Sequence, residues 1–484
     1  MKAMFWRGLA GYLPANVVQG VVGLLSVVAF TRLLSPAAYG AYAVAFSAAS
    51  LAHTLTFTWL EAAMARFYAR EAEAGRLEDH FGVIYRSFAA LAAVFLLVAG
   101  ATAWLLPLEP GLKGAVAAGL LCVPLRSLAK LAQEHRRAAG RVRPSALLDI
   151  GQSAGAFAIG AGLAAVGAGG AAPLLGAGLA AVACAAVVTP GEIRLARGGH
   201  FDRLRTAEYL HYGLPVSLSL VLSLALATTD RFMLAGFLSP ASVGVYHAGY
   251  SLSNRTLDVL FIWMGAAGGP AAVMALERGG VAALKETARE QASLMLLICL
   301  PAAAGLALVA HPLAGLMVGE GLRDGAARVT PWIAMSGLFA GLTTYYLHTA
   351  FTLARRTRLL LAAMAIPALA NLGLTWILIP RFGLDGAMWA TTASYVIGAI
   401  ASYAIGRRAL ALPIPWDAVL RCGLATAAMA VAVGLVPASG GAIELFAKAA
   451  IGAVVYGLCA FALDAAGIRS RRLHMVRALQ GAPA

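Results

Sequence analysis

Residues 31–40 read TRLLSPAAYG, and residues 237–244 read FLSPASVG. In the first stretch a long apolar run ends at Arg32 and is broken by Ser35-Pro36; in the second, Ser239-Pro240 stands in the same place, 204 residues later (239 minus 35). Proline cannot continue a helix, the serine before it can bond to freed backbone groups, and glycine permits a tight turn. Each stretch therefore predicts a turn between two helices, with Gly40 and Gly244 as the turn glycines.

Apolar sequence flanks both turns. The chain has 484 residues, of which 61% are hydrophobic and only 12% charged, far outside the composition of a soluble domain. Stretches of about 20 apolar residues, enough to cross roughly 30 Å of hydrocarbon, recur throughout. Fourteen are legible, at 10–34, 39–60, 87–106, 112–133, 145–166, 172–190, 212–236, 241–264, 291–316, 331–353, 358–379, 385–406, 418–436 and 445–463. The expected fold is an all-α polytopic membrane protein. The first span follows Lys2 and Arg7, is long and shows no small-residue cleavage site, so it is expected to be retained.

The Ser-Pro stretches fall between spans 1 and 2 and between spans 7 and 8. Six spans separate them, an even number, so the second half enters the membrane from the same side as the first. The expected organisation is two pseudo-symmetric six-helix bundles, 1–205 and 206–410, followed by two further spans and a basic tail in 411–484. Arg143 to Val182 and Arg358 to Thr392 form a looser second pair, each running from a basic loop through two spans around a glycine-containing turn. Gly160, Gly162, Gly176 and Gly178 are expected to allow close helix contact.

A net charge of +15 raises the question of nucleic acid, and the distribution of the 37 basic residues answers against it. With the N-terminus cytoplasmic, all but Arg32, Lys113, Arg231, Arg323, Arg328, Arg381 and Lys448 fall on the termini and alternate connections of one side. This asymmetry places both termini in the cytoplasm, with attraction to anionic headgroups as a secondary effect. Cys122, Cys184, Cys299, Cys422 and Cys459 form no close pair and are expected to be free and buried. No metal-ligand spacing or cofactor motif is visible.

TRLLSPAAYGAYAVA, TTDRFMLAGFLSPASVGVYHAGYSLSN and NLGLTWILIPRFGLDGAMWATTASY together resemble the polysaccharide biosynthesis, O-antigen flippase type, branch of the multidrug/oligosaccharidyl-lipid/polysaccharide exporter superfamily. The resemblance implies a bacterial inner-membrane transporter, not an enzyme, that moves a polyprenyl-diphosphate-linked oligosaccharide between leaflets. Its expected partners are that glycan, membrane lipids and other polysaccharide assembly proteins.

Such a substrate needs a polar route, and ionisable groups inside spans are costly enough to mark one. Arg32 and Arg231, on the first spans of the two bundles, are candidates for binding the diphosphate, since guanidinium groups make bidentate charge-assisted bonds. Arg32 could instead snorkel to headgroups. Arg126 and Lys130, four apart on span 4, are either a first docking point for the diphosphate or a positive anchor. Arg255 and Asp258 share a helix face, as an intrahelical pair or as cavity groups. Tyr345, Tyr346 and His348 belong either to a sugar-stacking cluster or to an interfacial aromatic belt. Asp230, Asp258 and Glu61 are candidates for ion coupling or plain charge balance. The expected mechanism is alternating access around a cationic cavity. An organic-cation antiporter of the same superfamily would need an acidic cavity, and a polymerase or ligase would need a large outer loop; neither is apparent.

Overall fold

The fourteen apolar stretches fall on helical segments of the computed structural model, which describes residues 2–470, with side chains from residue 14 onward. Arg471, Arg472 and Arg477 of the expected basic tail, and the side chains of Lys2 and Arg7, lie outside the described residues. There is no strand among the described residues.

The chain forms two compact units, 1–247 and 248–484. The first contains α1 (Lys2–Leu33), α2 (Pro36–Thr56), α3 (Thr58–Glu73), α4 (Leu77–Leu105), α5 (Pro110–Ala138), α6 (Val142–Ala165), α7 (Ala172–Val188), α8 (Pro190–Gly198), α9 (Arg203–Phe237) and the opening turns of α10 (Pro240–Leu308). The second contains the rest of α10, then α11 (Ala310–Met317), α12 (Glu320–Leu342), a π-helical turn at Thr343–Leu347, α13 (Thr349–Leu353), α14 (Thr357–Ala409), α15 (Trp416–Gly434) and α16 (Gly441–Ala462). Among the described residues, ten helices are long and apolar enough to cross a membrane, and eleven if α2 and α3, bent by 47° about Phe57, count as one span. α10 and α14 each hold two of the fourteen stretches, divided at Gly280 (φ 66°) and Gly383 (φ 57°), left-handed positions that favour glycine.

Both Ser-Pro pairs open helices. Ser35 Oγ accepts from the Ala38 amide at 3.2 Å and Ser239 Oγ from the Ser242 amide at 3.2 Å, while Pro36 and Pro240 occupy the first helical position, where a missing N–H costs nothing. The glycines have a different task from the one expected. Gly40 and Gly244 are helical residues, and a Cβ on Gly40 would overlap the Pro240 carbonyl oxygen, just as one on Gly244 would overlap the Pro36 carbonyl oxygen. The two copies thus pack reciprocally, backbone against backbone, and it is this approach rather than a turn that demands glycine.

Within the first unit, α6 and α7 meet through small residues. A Cβ at Gly176 would clash with the Gly160 backbone of α6 and one at Gly178 with Cys122 of α5, as close helix contact requires. Gly162 departs from the expectation: nothing lies within 4 Å of its Cβ position. At the other end, Trp59, Leu60, Met64, Phe81, Ile84, Leu131 and Tyr209 form a buried cluster that joins α3, α4, α5 and α9.

Within the second unit, Leu257 and Phe261 of α10 pack on Cys299, Ala303, Ala334 and Leu338. α15 and α16 lie together, and Tyr456 Oη donates to the Leu297 carbonyl at 2.6 Å, tying α16 to α10. All five cysteines are free, but only Cys122, Cys299 and Cys422 are buried; Cys184 and Cys459 are half-buried, Cys459 at the margin of the cluster around Cys422.

Candidate functional site

α2, α5, α6 and α7 line an open-mouthed cavity of 430 Å³ inside the first unit. Its size falls within the ordinary range of small-molecule sites. The lining repeats at helical intervals: Ala49, Ser50, His53 and Thr54 from α2; Val123, Arg126, Lys130 and Gln133 from α5; Asp149, Gln152, Ser153 and Ala156 from α6; and Ala177 from α7. Residues three, four and seven apart share a helix face, so each of the first three helices turns one polar stripe inward.

The charges in this cavity are not balanced alike. Asp149 accepts from Gln133 Nε2 and, at 3.2 Å, from Arg137 Nη2. Glu61, behind the α2 wall, lies 3.0 Å from His53 Nε2 and accepts from Ser127 Oγ at 3.4 Å. The bend at Phe57 creates that pair by setting the last turn of α2 beside the first turn of α3, and helix-dipole polarity favours an imidazole at the former and a carboxylate at the latter. Lys130 is shared between Gln133 Oε1 at 3.1 Å and Glu134 at 3.4 Å. Arg126 enters no hydrogen bond or ion pair among the described residues. Both nearby carboxylates bond to other groups and Glu61 reaches Arg126 only through space, so the cavity presents a guanidinium without a direct partner among hydroxyl, amide and imidazole groups. Chemically it suits an anion bearing hydroxyls.

The other sequence candidates are placed elsewhere. Asp230 is fully buried and accepts from Tyr246 Oη at 2.7 Å. Arg231, 4% exposed, donates to His247 Nδ1 at 3.2 Å and to the Ala227 carbonyl. His247 in turn packs tilted against Tyr39 and edge-on against Tyr42, with centroids 5.5 and 5.9 Å apart. Asp230 and Arg231 therefore belong to the packed contact between the two Ser-Pro regions. Arg32 is exposed and donates to the Val28 carbonyl at 3.2 Å.

In the second unit, Asp258 accepts from Asn254 Nδ2 at 2.6 Å, and Arg255 forms no ion pair with it. Tyr345 stacks on Phe261, with centroids 6.1 Å apart and planes at 8°. Tyr346 Oη donates to the Pro413 carbonyl, and His348 Nε2 lies 3.2 Å from Ser402 Oγ. The structure brings Arg126 and Lys130 together, with Glu61 adjoining; it does not join them to the other candidates within one unit's cavity.

His53, Gln133, Gln152 and Ser153 were not among the sequence candidates. The signal was present as polar residues at helical spacing inside spans, but single His, Gln and Ser residues spread over three spans form no local cluster of the kind that Tyr345, Tyr346 and His348 make. Glu192 and Glu71 also escaped notice. Glu192, buried on α8, accepts from Tyr85 Oη and from Arg136 Nη1 at 2.6 Å, with His135 Nδ1 2.8 Å away. Glu71 meets Arg70 at 2.8 Å and Arg76 at 3.2 Å, and Arg70 reaches Glu208 of α9 at 2.6 Å. No group of His, Cys, Asp and Glu among the described residues is arranged to hold a metal.

A family model described as polysaccharide biosynthesis protein matches residues 29–324. Among solved structures, a lipid II flippase, MurJ, in an inward closed conformation is similar over 94% of this chain and 98% of its own, with a TM-score of 0.77 at 12% identity. An inward-facing multidrug resistance MATE family transporter of the MOP superfamily is similar over 81% and 94%, with a TM-score of 0.68 at 15% identity. A MOP superfamily transporter from Pyrococcus furiosus, described as having a binding pocket of reverse polarity, is similar over 83% and 92%, with a TM-score of 0.55 at 16% identity. No curated protein matches the chain.

Proposed function

The chain belongs to the polysaccharide biosynthesis protein family, and on that premise we propose that it is a flippase for a polyprenyl-diphosphate-linked oligosaccharide in surface polysaccharide assembly. The observation that carries this reading is the guanidinium of Arg126, without a direct hydrogen-bond or ion-pair partner, in a cavity it shares with Lys130 and with hydroxyl, amide and imidazole groups. A diphosphate bound there gains bidentate, charge-assisted bonds from Arg126 and a point charge from Lys130. Ser50, Thr54, Gln152 and Ser153 offer donors and acceptors to the first sugar, while the polyprenyl tail stays in hydrocarbon. The fold likeness to a lipid II flippase supports a lipid-linked cargo.

In this account the bundles 1–205 and 206–410 rock to expose the cargo first to the cytoplasm and then to the opposite side of the bacterial inner membrane, with both termini cytoplasmic. An organic-cation antiporter is disfavoured because Glu61 and Asp149, the carboxylates at this cavity, are already engaged by His53, Ser127, Gln133 and Arg137.

Arg126→Gln in the native host provides the test. Loss of a charged hydrogen-bond partner is worth roughly 1.5–3 kcal/mol, so transport is expected to fall about 10- to 100-fold. Surface glycan should drop accordingly, lipid-linked saccharide should accumulate, and the amount of protein in the membrane should not change. Arg126→Lys should recover part of the loss. Normal glycan with Arg126→Gln would remove the reading.

A further inference from the structure

We propose that α8 and the segment after it form a docking site for anionic phospholipid headgroups. The argument begins with position. Gly169–Val188 is a candidate span of 20 residues, about 30 Å at 1.5 Å per residue, which matches the hydrocarbon thickness. Only Thr189 separates its end from α8, so α8 starts at the hydrocarbon edge.

The helix is mounted by one face. Glu192, Ala196 and Gly199, spaced four and three apart, are buried. Glu192 is held by Tyr85 and Arg136, and a Cβ on Gly199 would overlap the Glu78 carbonyl, so this face is fitted tightly to α4 and α5. The other face is open. Arg194, Arg197 and Arg203 are exposed, and none forms an ion pair among the described residues. Ile193, Phe201 and Leu204 are exposed beside them, Leu204 at 84%.

Three free guanidinium groups interleaved with apolar side chains, at the end of a span, fit a phosphate layer above acyl chains. Phosphate takes the guanidinium fork bidentately, and the apolar groups enter the boundary beneath it. An acidic protein surface would satisfy the arginines but would leave Leu204 and Phe201 without an apolar medium. The acidic groups along this segment are engaged by other partners: Asp202 accepts from the Leu204 and Arg205 amides, Asp79 accepts from the His200 amide and faces Arg205, and Glu78 lies beside Gly198.

The test uses the full chain in detergent, titrated with phosphatidylglycerol or phosphatidylcholine and read by native mass spectrometry. Replacing the three arginines together (R194Q, R197Q, R203Q) should weaken the tightest phosphatidylglycerol binding by roughly fivefold per arginine removed. Phosphatidylcholine binding and thermal stability in phosphatidylcholine micelles should not change. A photo-crosslinking residue at Leu204 should label lipid in mixed vesicles of the two. Unchanged phosphatidylglycerol binding, an equal loss for both lipids, or a Leu204 residue that labels no lipid would overturn the proposal. So would a soluble acidic peptide that depends on the three arginines when phosphatidylglycerol does not.

Discussion

Gly40 and Gly244 show how one hydrogen in place of a methyl group decides a contact. Each lies against the carbonyl of the other copy's proline, where a Cβ has no room and the obstacle is backbone rather than a movable side chain. Gly40→Ala or Gly244→Ala is expected to destabilise the protein by about 1–3 kcal/mol through overpacking, seen as a lower unfolding temperature in detergent. Gly162→Ala, which meets nothing within 4 Å, should leave that temperature unchanged or raise it. Equal effects at the three positions would contradict the reciprocal contact. The sequence disclosed the repeated Ser-Pro-x-x-x-Gly spacing but not its purpose, because a turn glycine and a close-approach glycine look alike until the second copy is placed in space. The same holds for Asp230 and Arg231. Their charge marked them as important, yet Tyr246 and His247, the residues that hold them, lie 16 positions away, beyond the reach of any helical spacing rule.

At the scale of single elements, helix starts and breaks were legible and helix mounting was not. Proline and serine mark the openings of α2 and α10, and the left-handed glycines at 280 and 383 divide the two longest helices. Nothing in PGEIRLARG shows that Glu192 is the anchor of α8, since an isolated carboxylate in a basic loop reads as a solvated charge. Glu192→Ala leaves Tyr85 and Arg136 facing an empty partner position, and breaking a buried charged pair of this kind costs about 3–5 kcal/mol. The expected result is a marked loss of thermal stability and protease cleavage between residues 189 and 202, with Glu192→Gln milder than Glu192→Ala. Intact resistance to protease in the alanine variant would show that α8 is held by other contacts.

Over the whole molecule, composition alone settled the membrane class, and the fourteen apolar stretches recovered the order of the long helices, although α4 begins at Leu77 rather than 87 and α12 at Glu320 rather than 331. The cavity was only half visible. Arg126 and Lys130 declared themselves by charge, whereas His53, Gln133, Gln152 and Ser153 come from three helices that converge only in the folded unit. Which residues converge depends on helix packing, and Ala-rich and Gly-rich helices carry too little side-chain variety to reveal that from sequence. The central claim is that this cavity receives the anionic head of a lipid-linked saccharide. It is tested most directly by placing a photo-crosslinking residue at Gln152, on the cavity wall, and at Leu97, an outward-facing position of α4, in membranes carrying radiolabelled lipid-linked saccharide. The account predicts labelling from residue 152 that depends on Arg126 and is displaced by excess unlabelled polyprenyl diphosphate, with no such dependence at residue 97. Labelling from residue 152 that is absent, or that persists unchanged with Arg126→Gln, would contradict it.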